Sequence, residues 1–317
     1  METATEIHRS ATMRRIVIYC LFAFGMAWAL WFGALYPMVF SSPTGPGPLG
    51  GLVLAAGMFA PALAVLATRL ITGEGWVGVW IRPREFKRTW KYYLLAWFAP
   101  LAAIVVGAFL YFALFPQEFD PSSGFFVETQ RQALRGSVPQ SALSDEQLRA
   151  AVWVQLPLVL LAPLLNFLPC FGEEWGWRGY LLPKLRELFS MPVTLLISGL
   201  VWGLWHAPII AIGHNYGTDY ATYPIGGILA MCVFTTLVGA FMSYVTLRSG
   251  SVIPAVLAHG MLNGSAAFGL LFSASAGNPF TGPLPTGAIG GAGLILLGVA
   301  SFVLLSRLSP ADPGSVN

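Results

Sequence analysis

Long apolar runs broken by short polar intervals make up almost the whole chain, and this alternation sets the expected fold. A helix needs about 20 predominantly apolar residues to cross a bilayer. Runs of that order occupy 16–40, 49–71, 92–115, 151–172, 191–212, 223–247, 251–273 and 284–306. The pattern predicts an all-α integral membrane protein, a bundle of about eight transmembrane helices. The polar intervals are mostly short: "SSPTGPGPLG" (41–50) is a Pro/Gly turn and 72–91 is a basic, tryptophan-containing loop. Only 116–150 is long enough for an interfacial helix with a loop. At its end Ser144 and Gln147 have the spacing of a capping box, which predicts a helix start there.

These runs define a polar N-terminal tail (1–15), one polytopic membrane domain (16–306) and a C-terminal tail (307–317) expected to be disordered. No internal repeat and no soluble domain is evident. The first apolar run is too long for a signal-peptide core and no small-residue cleavage site follows it, so it is expected to be retained as a helix.

Composition agrees with a multi-pass location in the cell membrane. Of the 317 residues 56% are hydrophobic and 10% charged, where soluble domains carry about 25% charged residues. Charge then orients the bundle, because cytoplasmic flanks retain lysine and arginine. With the N-terminus inside, 14 of the 17 basic residues lie on the inner side and only Arg131, Arg135 and Arg149 lie outside. Both termini are therefore expected to be cytoplasmic. The basic stretch "IRPREFKRTWK" (81–91) suggests contact with anionic lipid headgroups, which makes membrane lipid a partner. No nucleic-acid motif is visible. Cys20, Cys170 and Cys232 are an odd, scattered set and give no disulfide framework; buried thiols are expected.

Against this background the stretch "CFGEEWGWRGYLLPKLRE" (170–187) stands out. Ionisable groups at membrane depth are costly and raise the question of function wherever they occur. The C-terminal half supplies Glu173, Glu174, Arg178, His206 and His259, together with Asn166 and Asn263. In a helix Glu174 and Arg178 are an i,i+4 pair with the acid first, the better orientation for an ion pair. Glu173 points about 100° away and is left unpaired. Asn166, seven residues earlier, returns to nearly the same face as Glu173. His206 sits inside an apolar run with Trp202 one turn before and Pro208 just after. His259 and Asn263 share a helix face, while Gly260 and Gly264 would let another helix approach closely. Taken singly, each group also fits a structural role as a boundary cluster, a core histidine or an interhelical polar contact. Three separate apolar segments each supplying such groups, with scarcely another charge among them, point to a shared site.

The order Glu173-Glu174-x-x-x-Arg178, then Trp202-x-x-x-His206, then His259-x-x-x-Asn263 resembles the CPBP intramembrane proteases, the CAAX-prenyl endopeptidase and bacteriocin-processing (Abi) family, over roughly 150–270. Trp202 departs from the family motif, which more often has phenylalanine there. The resemblance implies an intramembrane endopeptidase acting on a peptide or lipidated protein: a prenylated CAAX protein, a leader peptide or a membrane-embedded segment. It implies Glu173 as general base, with His206 helping to hold and polarise the water. His259 and Asn263 would then stabilise the oxyanion, and Arg178 would fix Glu174. Substrate is expected from the cytoplasmic side or laterally from lipid.

No cofactor is expected to be required. A zinc version would use Glu173, His206 and His259 as three ligands with water in the fourth position, although no H-E-x-x-H helix is present. Two other classes stay open: a proton-coupled transporter and a catalytically inactive membrane scaffold or immunity protein. The clustering of polar groups in one half, without an inverted repeat, speaks against the transporter. Cys170 is close enough in sequence to be weighed as a nucleophile, but no neighbouring feature would activate it.

Overall fold

The computed structural model describes residues 4–41, 47–134 and 144–307. It is all-helical, with two isolated β bridges among the described residues, Phe119 with Ser273 and Asn278 with Gly282. In chain order the main helices are α1 (Thr5–Ser41), α2 (Gly47–Thr72), α3 (Phe86–Leu114), α4 (Gly124–Ala133) and α5 (Asp145–Leu165). They continue with α6 (Phe167–Gly176), α7 (Leu182–Leu188), α8 (Met191–Trp205), α9 (Ile225–Ser249), α10 (Ile253–Phe272) and α11 (Ala292–Ser306).

Among the described residues, six helices are long and apolar enough to cross a membrane: α1, α2, α3, α5, α9 and α10. The apolar α8 and α11 are shorter. Each of the predicted apolar runs overlaps one of these helices. The outward faces carry large apolar side chains such as Leu21, Phe109, Leu165, Leu229 and Leu296, as expected where the surrounding solvent is hydrocarbon.

Four boundaries differ from the expectation. The helical chain already begins at Ala4, so the polar residues through Arg15 extend α1 where a tail was expected. They are held by the far end of α7: Thr12 donates to Glu187, and Arg9 donates to the Leu188 carbonyl. The fourth run, 151–172, is broken at Asn166, where the non-helical φ of −94° and ψ of 7° separate α5 from α6. The run 191–212 holds its main helix only to Trp205, because Pro208 has no N–H with which to extend the ladder. The last run starts its helix at Ala292, and 284–291 is a Gly/Pro-rich turn. Residues 308–317, most of the expected C-terminal tail, lie outside the described residues.

Other expectations hold. Gln147 accepts from the Ser144 N–H and the Ser144 hydroxyl accepts from the Gln147 N–H, a reciprocal capping box that opens α5. The interval after α3 folds back on the end of α10: the Asp120 N–H donates to the Phe272 carbonyl and the Ser275 hydroxyl to Glu118. Phe126 and Val127 of α4 are buried beneath this segment. The three cysteines are free, with Cys170 and Cys232 buried.

Without a hydrophobic force between helices in lipid, packing relies on small residues that let backbones approach. A Cβ on Gly264 would collide with Ala162, and one on Gly260 would crowd Pro163, so this pair seats α10 against the end of α5. Gly199 and Gly203 do the same for α8 against Thr236 and Cys232 of α9. Residues of α6, α8 and α10 in turn line one interior space.

Candidate active site

The segment that carries the acidic pair is an uninterrupted helical stretch in which α6 passes through a π turn, Trp177–Leu181, into α7. Such insertions rotate the following side chains relative to a regular helix and recur at functional sites. Here Glu173 and Glu174 precede the π turn and Arg178 lies inside it. Glu173 is 2% exposed and Glu174 fully buried. Both therefore need partners within the protein, since an unpaired buried charge is strongly unfavourable.

Glu174 has two. Its Oε1 accepts from Arg178 Nη1 at 3.0 Å and from His259 Nδ1 at 2.9 Å. The expected Glu174–Arg178 pair is present, and His259 joins it from α10. The Arg178 guanidinium is also centred 4.2 Å from the Trp202 ring, a cation–π contact worth more when desolvated. Gly239 of α9 makes room for it, since a Cβ there would stand 2.8 Å from Nη2.

Glu173 is free of cations, as its position round the helix predicted, but it is not unbonded. Its Oε2 accepts from the indole N–H of Trp202 at 2.8 Å and from that of Trp177 at 3.2 Å. Neutral donors hold the carboxylate in place without cancelling its charge. Sequence reasoning took Trp202 only as a departure from the family motif and missed both indoles as donors. The i,i+4 spacing of Glu173 and Trp177 was the legible clue.

The two site histidines have assignable tautomers. His206 Nδ1 lies 2.8 Å from the Trp202 carbonyl, which can only accept, so Nδ1 carries the proton and Nε2 keeps a lone pair. The same logic makes Nδ1 of His259 the donor to Glu174, again leaving Nε2 as the other ring nitrogen. His206 stands at the C-terminal end of α8, where the helix in its apolar run stops before Pro208.

Glu173, His206, His259 and Asn263 all line one cavity of about 290 Å³, with Trp31, Trp202 and Trp205 in its wall. Four of the expected site residues thus converge, while Glu174 and Arg178 stand behind them. Asn263 Nδ2 also donates to Cys170 Sγ at 3.7 Å. Cys170 is buried and does not line the cavity. Asn166 does not join the site either. It sits at the helix break and donates to the Ala162 carbonyl at 3.0 Å and the Gly260 carbonyl at 3.4 Å. The seven-residue spacing placed it beside Glu173 only on the assumption of a continuous helix. His214 and Asn215, in the segment after α8, also line the cavity; no periodicity in the sequence pointed to them.

Among the described residues no three His, Cys, Asp or Glu side chains are grouped so as to hold a metal ion. Glu173, His206 and His259, the residues of the zinc version, share the one cavity.

Fold and site together define a polytopic helical membrane protein with a buried Glu/His/Asn cavity, and comparison with known proteins points the same way. The family model described as "Type II CAAX prenyl endopeptidase Rce1-like" matches residues 154–265. This stretch contains all three motifs that carried the resemblance. Over 92 residues the chain is 28% identical to "CAAX prenyl protease 2" of Methanococcus maripaludis, covering 29% of this chain and 34% of that protein. The alignment thus spans about a third of the length of the curated relative it matches. The chain is similar to CAAX prenyl endopeptidases over the part that supplies Glu173, His206, His259 and Asn263 to the cavity.

Proposed function

We propose that the protein is an intramembrane endopeptidase in which Glu173 activates water. The convergence of Glu173, His206, His259 and Asn263 on one cavity carries this reading. Peptide hydrolysis needs a base for water, a proton for the leaving amine and donors for the developing oxyanion. Glu173 takes a proton from water as its oxygen attacks the scissile carbonyl carbon. The Nε2 lone pair of His206 accepts the water's other hydrogen bond and aims the oxygen. The Asn263 amide and a protonated His259 Nε2 donate to the tetrahedral oxyanion, with Glu174 balancing the imidazolium through Nδ1–H. When the C–N bond breaks, Glu173 returns its proton to the leaving nitrogen. Arg178 holds Glu174 in place and touches no substrate.

This chemistry is proposed to proceed without a resident metal; a zinc ion held by Glu173, His206 and His259, with water in the fourth position, is the alternative. The substrate class is taken from the relative's name: a prenylated peptide bearing a CAAX-type C-terminus, with leader or membrane-embedded segments as alternatives. The apolar, tryptophan-lined wall suits an isoprenoid or an apolar peptide.

The test is cleavage of a farnesylated CAAX peptide by the purified protein in liposomes, with and without a strong zinc chelator. Chelator-resistant cleavage that requires the prenyl group is expected. One equivalent of bound zinc lost together with activity would replace this mechanism with a metal-dependent one.

A further inference from the structure

A second cavity, of about 260 Å³, lies where α1, α2 and α7 meet the loop after α2. The hydrolytic reading does not use it. Its charged lining is Arg15, Arg69, Lys184, Glu74 and Glu187. Three cations converge on one carboxylate: Arg15 Nε and Lys184 Nζ each lie 2.9 Å from Glu74 Oε2, and Arg69 Nε lies 3.5 Å from Oε1. Glu187 also accepts from the Thr12 hydroxyl and pairs with His8, so the lining carries three cations against two carboxylates. Arg69 is only 5% exposed, and its guanidinium also stacks near Trp76 and Tyr180. Arg15 meets Glu74 through Nε alone, so among the described residues its terminal nitrogens remain available to a ligand.

The excess of positive charge is not confined to the cavity. The adjoining stretch 81–91 adds Arg82, Arg84, Lys87, Arg88 and Lys91 against Glu85 alone. Beside the cavity the surface turns apolar at once: Leu70, Ile71, Trp76 and Val77 are all more than half exposed. A cationic hollow bordered by exposed aliphatic and tryptophan side chains matches an amphiphile at the membrane interface, with an anionic head and hydrocarbon tails.

We propose that this cavity binds the phosphodiester headgroup of an anionic phospholipid. Arg15 and Lys184 contact the phosphate, Arg69 stands behind them with Nη1 donating to the Gly75 and Val77 carbonyls, and the acyl chains lie along Leu70 and Ile71. The site is a specific one, seated between helices, and differs from diffuse attraction of the basic loop to a charged surface. Because π turn and α7 residues line it, the lipid also braces the helical stretch that carries Glu173.

Native mass spectrometry of the full-length protein, extracted in detergent and supplied with phosphatidylglycerol or phosphatidylcholine, tests this. One retained phosphatidylglycerol, displaced neither by phosphatidylcholine nor by inorganic phosphate, is the expected result. Lys184→Gln should weaken retention about fivefold, the worth of one basic residue at a membrane surface, and Arg15→Gln should act alike. Arg82→Gln, outside the cavity, should leave retention unchanged. Lys184→Gln keeps Arg15 and Arg69 on Glu74, so it remains informative if Arg15→Gln fails to fold. Equal retention of both lipids, equal loss in Arg82→Gln, or displacement by inorganic phosphate at lipid-like concentrations would each overturn the proposal.

Discussion

The indole N–H of Trp202, on α8, donates to Glu173 Oε2 on α6 across 2.8 Å, while its ring lies 4.2 Å from the Arg178 guanidinium and its carbonyl fixes the His206 tautomer. One residue thus touches the proposed base and the cation behind it through its side chain, and the water-positioning histidine through its backbone. Phenylalanine, which the family motif more often carries here, can keep the ring contact but cannot donate. A hydrogen bond to a charged group contributes about 1.5–3 kcal/mol. Trp202→Phe is therefore expected to lower kcat on the order of 10- to 100-fold with little change in KM or melting temperature. Steady-state kinetics beside a thermal melt decide this, and an unaltered kcat would reduce Trp202 to a packing residue.

The sharing of Glu174 Oε1 between Arg178 and His259 gives a stability prediction. Removing one partner of a buried ion pair costs about 3–5 kcal/mol, because the other charge stays buried. Arg178→Met should lower the melting temperature markedly, and adding Glu174→Gln should recover part of the loss. If Arg178→Met melts like the wild type, Glu174 does not depend on Arg178.

Much of this site could be read from the sequence because it rests on local periodicity. The Glu174–Arg178 pair, the freedom of Glu173 from cations and the close approach permitted by Gly260 and Gly264 all follow from three- and four-residue spacings. What could not be read depends on where continuity fails or on contacts between helices. Asn166 was placed beside Glu173 by a seven-residue repeat that the break at this residue cancels. His259 was paired with Asn263 along its own helix, whereas its Nδ1 bonds across to Glu174. Residues 4–15 of the expected tail are helical, and the partners of Thr12 and Arg9, Glu187 and Leu188, lie far along the chain where the sequence pattern could not show them. The apolar runs located each bilayer-scale segment, but proline and glycine within them set the ends.

Asp120 supplies a pH prediction outside the membrane-spanning helices. The Ser122 hydroxyl and the backbone N–H groups of Ser122 and Gly124 hold its carboxyl below the ordinary value of 3.8. The folded value is thus lower than the unfolded one, so its contribution is complete above the ordinary value and is lost as pH falls through the folded value. At neutral pH, Asp120→Ala should speed amide exchange at Gly124, the first residue of α4, about fivefold. In acid strong enough to protonate Asp120 the variant and wild type should converge. Equal exchange at neutral pH would show that Asp120 does not cap the helix.

Orientation can be tested separately. Arg15, Arg69 and Lys184 gather at one end of the bundle around Glu74. The positive-inside rule predicts that this end is cytoplasmic and that α4 is external. A phosphatase reporter inserted after Glu118 should be active and a fluorescent reporter there dark; the opposite pattern would invert the bundle.

The most direct measurement of the central claim is cleavage of a farnesylated CAAX peptide by Glu173→Gln, followed by mass spectrometry in liposomes. The substitution keeps the shape of the side chain and an oxygen to accept from Trp177 and Trp202, so folding should persist while the base is lost. Cleavage by the wild type with none detectable in the folded variant is the predicted result. Wild-type rates in Glu173→Gln would contradict the account and leave the cavity without its proposed base.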